Sequence, residues 1–147
     1  MAKHTDFKKN IFANLTCSVC EAPRNRYAYL CPRCKKLVDK AHRRYSVNRD
    51  IASNALKSAW DRNKKVFRCY YTGVTLVENN HRDPRYFTFD HRTPRDERDI
   101  VVASACINDM KSDLSEKEFR RIVLELAQRF QGGPFDECVL NLAHWKR

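Results

Sequence analysis

The chain has 147 residues, with 29 Lys/Arg against 18 Asp/Glu and a net charge of +11 when His is neutral. That length suits one domain, or one domain with a small appendage. The charge excludes a simple acidic-substrate cage and points to a polyanion partner, most often nucleic acid, ahead of a membrane surface. The excess is not shared evenly. Residues 1–68 hold 17 Lys/Arg against 5 Asp/Glu, and residues 69–147 hold 12 against 13. No apolar run approaches the ~18 residues of a membrane span. The best, Ile100 to Ala105, is six long and includes Ser104. Met1 to Asn10 lacks the apolar stretch of a signal peptide, so a cytoplasmic location is expected.

In chain order, the first strong feature is Cys17-Ser-Val-Cys20, followed after ten residues by Cys31-Pro-Arg-Cys34. Each C-x-x-C turns two sulfurs toward one ion, and two such knuckles complete a tetrahedral shell of thiolates, the preferred surroundings of structural zinc. An iron centre and redox dithiols are the other chemistries of this spacing. The segment Glu21 to Leu30 reads as a small ribbon, with Tyr27, Tyr29 and Leu30 as apolar cover. The zinc ribbon is assigned to residues 1–40, and the ion is expected to supply much of its folding energy.

Residues 41–66 form a basic helical segment. Leu37, Val38, Ala41 and Tyr45 recur at helical spacing, and Ala52, Ala55, Leu56, Ala59 and Trp60 make a second stripe behind an Asp50 cap. Lys35, Lys36, Lys40, Arg43, Arg44, Lys57, Arg62, Lys64, Lys65 and Arg68 surround these stripes. They read as a solvated linker face, as a phosphate-tracking surface, or as both.

From residue 67 the pattern changes. Strands are expected over Val66–Tyr71, Val74–Val77, Tyr86–Phe89 and Ile100–Ala103, with a Thr72-Gly73 turn. Ser104 is placed to cap a short helix with Ile107, Asn108, Met110 and Lys111. Ser115 and Glu118 form a capping box before a helix striped by Phe119, Ile122, Val123, Leu126, Ala127 and Phe130, read as core or a partner face. Gly132-Gly133-Pro134 ends it, and residues 134–147, with Phe135, Val139, Leu142 and Trp145, form a last short helix.

The ordered set Cys69-Tyr-Tyr-Thr-Gly73, Phe89-Asp-His-Arg-Thr-Pro94, Asp99-Ile-Val-Val-Ala-Ser104 and Ile107-Asn-Asp-Met-Lys-Ser-Asp-Leu-Ser115 resembles the HNH (His-Me finger) nucleases, in their phage and bacterial branch. The resemblance spans residues 69–126, a little over a third of the chain. It implies an α+β protein: a zinc ribbon, a basic helical segment, a ββα-metal nuclease domain over residues 67–133 and a C-terminal helical tail. It also implies DNA as substrate, 5′-phosphate and 3′-hydroxyl ends, and a setting in phage, mobile elements or restriction. The host cytoplasm is then the location, with phage or mobile-element proteins as further partners.

The chemistry can be argued from the residues too. Phosphodiester hydrolysis needs a deprotonated water, charge neutralisation at the phosphate and help for the leaving oxygen. Imidazole titrates near neutrality, which suits His91 as general base. Asp90, on the opposite side of the strand, and Asn108, on the helix, offer hard oxygens to Mg²⁺ or another divalent cation. The resemblance gives these three the same roles, with His91 at the general-base position and Asp90 and Asn108 at the metal positions. Asp99 stands where the family usually has a loop-tying Asn, whose amide donates as Asp cannot. Lys111, at i+3 from Asn108, reads as a phosphate contact or a solubilising residue.

The plain structural alternative makes Asp90-His91 an Asx turn and Asn108 a helix-surface residue. A non-catalytic zinc-ribbon binding protein on an HNH-like scaffold is the alternative function. The joint presence of Asp90, His91 and Asn108 favours the enzyme. His81 reads as a loop residue, and His4, His42 and His144 as surface residues. Cys69, Cys106 and Cys138 are unpaired by spacing, and a second zinc site built from them has little support.

Overall fold

Cys31 closes the second cysteine knuckle and opens a helix. Its sulfur accepts a 3.5 Å bond from the Cys34 N–H. Pro32 follows in the first turn, where its missing N–H leaves no bond unmade. This helix, α1 (Pro32–Tyr45), closes on Ser46 at φ 54°. Asn48 then caps α2 (Arg49–Ala59), accepting from the Asp50 N–H at 2.8 Å. The expected cap at Asp50 is thus displaced by two residues. Asp50 instead lies in the first turn, where its charge meets the positive end of the helix dipole.

The computed structural model describes residues 15–142 and is α+β, with four α-helices and two two-stranded sheets among those residues. The chain splits into two compact units, Met1–Arg68 and Cys69–Arg147. No helix among the described residues is long and apolar enough to cross a membrane.

The first unit is built on the two helical stripes. Leu37, Val38 and Ala41 of α1, Ala52, Ala55 and Leu56 of α2, and Val47 between them are buried. The alanines Ala41 and Ala52 are fully buried, and their small size lets backbones approach closely. The chain then forms β1 (Trp60–Asp61) and β2 (Val66–Phe67), paired antiparallel with Trp60 opposite Phe67 and their rings 5.0 Å apart. Asp61 Oδ1 accepts from the Asn63 and Lys64 N–H groups and fixes the turn. The expected strand Val66–Tyr71 is regular only over Val66–Phe67, though the Tyr70 N–H reaches the Val102 carbonyl at 2.9 Å, and the first compact unit ends at Arg68.

In the second unit, β3 (Phe87–His91) and β4 (Ile100–Ser104) form an antiparallel hairpin, with Asp90 opposite Val101 and His91 opposite Ile100. Strand alternation puts Phe87 and Phe89 on one face, buried with ring centroids 5.3 Å apart, and Thr88 and Asp90 on the other. Of the expected strand Val74–Val77, Val74 accepts from the Cys69 N–H at 3.0 Å, and Thr75 and Val77 form isolated bridges, Val77 with Tyr86, with no continuous ladder. The preceding turn, with Gly73 at φ 71°, ties Gly73 N–H to the Cys69 carbonyl and leaves too few residues for a ladder.

Helix α3 (Ala105–Lys111) follows β4 directly. Ser104 holds the cap position, but its hydroxyl does not cap. It is buried against Cys69, whose Sγ lies 3.8 Å from Ser104 Oγ. Helix α4 (Glu116–Phe130) begins with the capping box expected from Ser115 and Glu118. Its apolar stripe is not core, for no residue of α4 is buried and Phe130 is 84% exposed. Among the described residues, the tail contributes one 3-10 turn, Glu137–Leu140, with Val139 buried. His4, His144 and Trp145 lie outside the described residues.

Candidate functional site

The four cysteines of the two knuckles meet. The sulfurs of Cys17, Cys20, Cys31 and Cys34 all lie within 4.8 Å of one another, and all four residues are buried. Cys20 Sγ and Cys31 Sγ are 3.5 Å apart, and none is in a disulfide. A tetrahedron of Zn–S bonds near 2.3 Å has sulfurs about 3.8 Å apart, so the cluster can hold a structural metal such as zinc. Without a cation, two of these buried thiols resist ionisation. Burial pushes the Cys34 thiol far up, aided by a bond to Cys20 and by the other sulfurs, and burial also raises Cys20. Burial opposes ionisation of Cys17 too, but the Cys20, Cys31 and Val19 backbone groups outweigh it and bring that thiol down to about 7. Four thiolates cannot share this volume without a positive ion between them.

The second knuckle opens a helix, and among the described residues of the ribbon Thr16 and Pro23 form a bridge. Tyr27 and Tyr29 do not cover the cluster. They are 79% and 83% exposed, and the buried apolar neighbour in the knuckle is Val19.

The second candidate site lies where α3 crosses β3. Asn108 Nδ2 is 3.4 Å from both Thr88 Oγ1 and the Phe89 carbonyl. One turn on, Lys111 Nζ donates to Asp90 Oδ1 at 3.2 Å and to the His91 carbonyl at 2.7 Å. Asp90 Oδ2 accepts from the Tyr71 hydroxyl at 2.6 Å. Burial, and then the bond to Asp90, pushes the Tyr71 hydroxyl well above its usual range, so it stays a donor. The His91 ring is half-buried and has no hydrogen-bond partner among the described residues. The contacts thus seat Asn108 and Lys111 of α3 on the face of β3 that carries Thr88 and Asp90, and among the described residues no hydrogen bond joins the His91 side chain to them.

Lys111 is neither a surface solubiliser nor an accessible phosphate contact. It is 1% exposed and ion-paired to Asp90, itself 4% exposed, because Asn108 and Lys111 share the helix face that lies on β3. Removing one partner of a buried pair strands the other charge. Lys111→Met is therefore expected to cost about 3–5 kcal/mol, and the double variant with Asp90→Asn distinctly less. Urea midpoints of the two variants check this, and a Lys111→Met protein as stable as wild type would refute the pairing.

Sequence reasoning missed Tyr71, which lies 19 residues from its partner Asp90 with no local pattern joining them. It also missed the loop lock formed by Arg92. Arg92 Nε donates to Asp99 Oδ1 at 2.6 Å, the Arg92 N–H to the Asp99 carbonyl at 2.9 Å, and Thr93 Oγ1 to Asp99 Oδ2 at 3.2 Å. Bonds to Tyr70 and then Asp99 push the Arg92 guanidinium up. Asp99 thus ties the loop by accepting from side chains, where an Asn amide would donate. An open cleft of about 430 Å³ beside this lock is lined by Thr93, Ser115, Lys117 and Arg120, among others.

In the first unit, Lys35, Lys36, Arg43, Arg44, Lys57, Lys64 and Lys65 are exposed and Lys40 is half-buried. Among the described residues, Arg62 pairs with Glu21 at 3.1 Å and Arg68 with Asp61 at 2.7 Å. Cys69, Cys106 and Cys138 join no metal-ligating cluster among the described residues; Cys69 is buried and the other two exposed. His81 is exposed, and the exposed His42 places Nδ1 3.1 Å from the Val47 carbonyl. Compared with known families, curated proteins and solved structures, the chain matches none.

Proposed function

We propose that the chain is a metal-dependent endonuclease of the HNH type that hydrolyses DNA phosphodiester bonds, with His91 as general base and a single Mg²⁺-type ion held by Asp90 and Asn108. The observation that carries this reading is the seat of Asn108 on β3, its amide 3.4 Å from the carbonyl of Phe89, the residue before Asp90. The half-buried His91 ring, with no partner to release, is available to take a proton from water at a ring nitrogen. Lys111 and Tyr71 fix the Asp90 carboxylate from either oxygen and so orient it. The oxygens of Asp90 and Asn108 are hard donors and fit a hard cation. When bound, such an ion supplies charge neutralisation at the phosphate and the departing oxygen. Cleavage would leave 5′-phosphate and 3′-hydroxyl ends, and the work would be done in the cytoplasm of a bacterial or phage-infected cell, as the resemblance implies.

One observation favours the second reading, a non-catalytic nucleic-acid-binding protein. Both Asp90 oxygens already have partners, a hydroxyl and an ammonium, so the carboxylate is satisfied without an ion. A Mg²⁺ titration of plasmid nicking separates the two. The enzyme should nick only with a divalent ion, and Asn108→Ala should need about tenfold more of it or worse. Nicking that persists in chelator, or an Asn108→Ala titration identical to wild type, would defeat the ligand assignment. DNA binding with no nicking would favour the second reading.

The exposed lysines are assigned to the grip on DNA in either reading. On duplex DNA, every phosphate that a side chain ceases to neutralise lowers the log–log salt slope by roughly 0.9. Lys64→Gln with Lys65→Asn, the Asn chosen because Lys65 sits at φ 55°, should flatten the slope by up to about twice that. An unchanged slope would assign both lysines to packing or solvation.

A further inference from the structure

The loop joining the two knuckles displays Tyr27 and Tyr29 from a fixed backbone. Arg24 holds that backbone from inside, with Nε on the Thr16 carbonyl at 2.8 Å and Nη1 on the Ala28 carbonyl at 2.6 Å. The Ser18 N–H reaches the Tyr29 carbonyl at 3.1 Å, and Asn25 Oδ1 accepts from the Tyr27 N–H at 3.1 Å. Both ends of the loop run into the cysteine cluster. The rings are nevertheless 79% and 83% exposed. A single exposed tyrosine is ordinary. Two on one pinned loop, each with a guanidinium over its ring, are arranged for something outside the protein.

The chemistry of that loop narrows the partner. The Arg26 guanidinium lies 4.4 Å from the Tyr27 ring centroid, and the Arg24 guanidinium 5.9 Å from that of Tyr29. The surface therefore offers aromatic faces set among cations, in the unit that carries all of the excess positive charge. A ligand matching both features is flat, π-faced and anionic: an unpaired nucleotide. A duplex hides its base faces in the stack, whereas single strands present a face at every base.

We infer that Tyr27 and Tyr29 form a stacking platform for unpaired bases, so that the protein engages single-stranded or frayed nucleic acid as well as duplex. This rests on the nucleic-acid part of the proposed function and is independent of cleavage. Binding of the full chain is measured by fluorescence anisotropy to a short oligothymidylate and to an abasic oligonucleotide of equal length, which keeps the phosphates and lacks the bases. Wild type should prefer oligothymidylate, and Tyr27→Leu or Tyr29→Leu should each shrink that preference about tenfold while leaving abasic affinity unchanged. Tyr27→Phe should keep the preference. Both rings are exposed, so the fold is spared, and equal metal content in all variants checks this. Equal wild-type affinity for the two probes, or leucine variants that keep the preference, would overturn the platform and leave the nucleic-acid reading standing. Failure of wild type to bind either probe would overturn both.

Discussion

Replacing Cys34 with serine, or removing metal with a chelator, is expected to unfold the knuckle segment and destabilise the whole Met1–Arg68 unit. Cys34 is fully buried, and its sulfur is one of four converging on one point. Between Thr16 and Leu30 the described chain buries only Cys17, Val19 and Cys20, so no apolar core replaces the ion there. Structural zinc in small domains supplies on the order of 10 kcal/mol or more. A domain's whole stability is about 5–15 kcal/mol, so the loss cannot be absorbed. The second unit has its own core in Phe87, Phe89, Val102 and Ala103 and should keep its folding transition. Calorimetry of wild type and Cys34→Ser, with metal content measured beside it, tests this. A single unchanged transition in the variant would show that no metal holds the first unit together.

How far the sequence could be read depended on whether a signal was local. Leu37, Val38 and Ala41, and then Ala52, Ala55 and Leu56, follow helical spacing, and they are the buried face of α1 and α2. The capping box at Ser115 and Glu118 and the convergence of four cysteines were legible too, since the box and each C-x-x-C pair are written within four residues. Strand β1 was not legible. It is two residues long, continues directly from α2, and gains its partner only because Asp61 turns the chain. The Tyr71–Asp90–Lys111 cluster was hidden by distance, each partner lying 19 or 21 residues from Asp90. A lysine at i+3 from Asn108 signals a shared helix face, but only the packing of α3 on β3 reveals that this face is the inner one. The α4 stripe shows the opposite failure. Its periodicity is that of a core helix, yet Val123, Leu126 and Phe130 remain exposed, because amphipathicity specifies a face and not its partner.

The second large effect concerns His91, on which the proposed chemistry turns. Among the described residues its ring makes no hydrogen bond, and the bond from Lys111 uses the backbone carbonyl, which any residue supplies. His91→Ala should therefore leave folding, metal content and DNA affinity near wild type while removing the proton acceptor. Loss of a general base costs about 10²–10⁴ in rate. Tyr71→Phe is different in kind, since it removes a bond that orients Asp90 and leaves the acceptor in place.

Nicking of supercoiled plasmid in Mg²⁺ by wild type beside His91→Ala bears most directly on the proposed chemistry. Wild type should relax the plasmid, and the variant should do so at a rate lower by about 10²–10⁴ at equal DNA affinity. Equal nicking by the two proteins, or none by either across several divalent metals, would contradict the nuclease assignment.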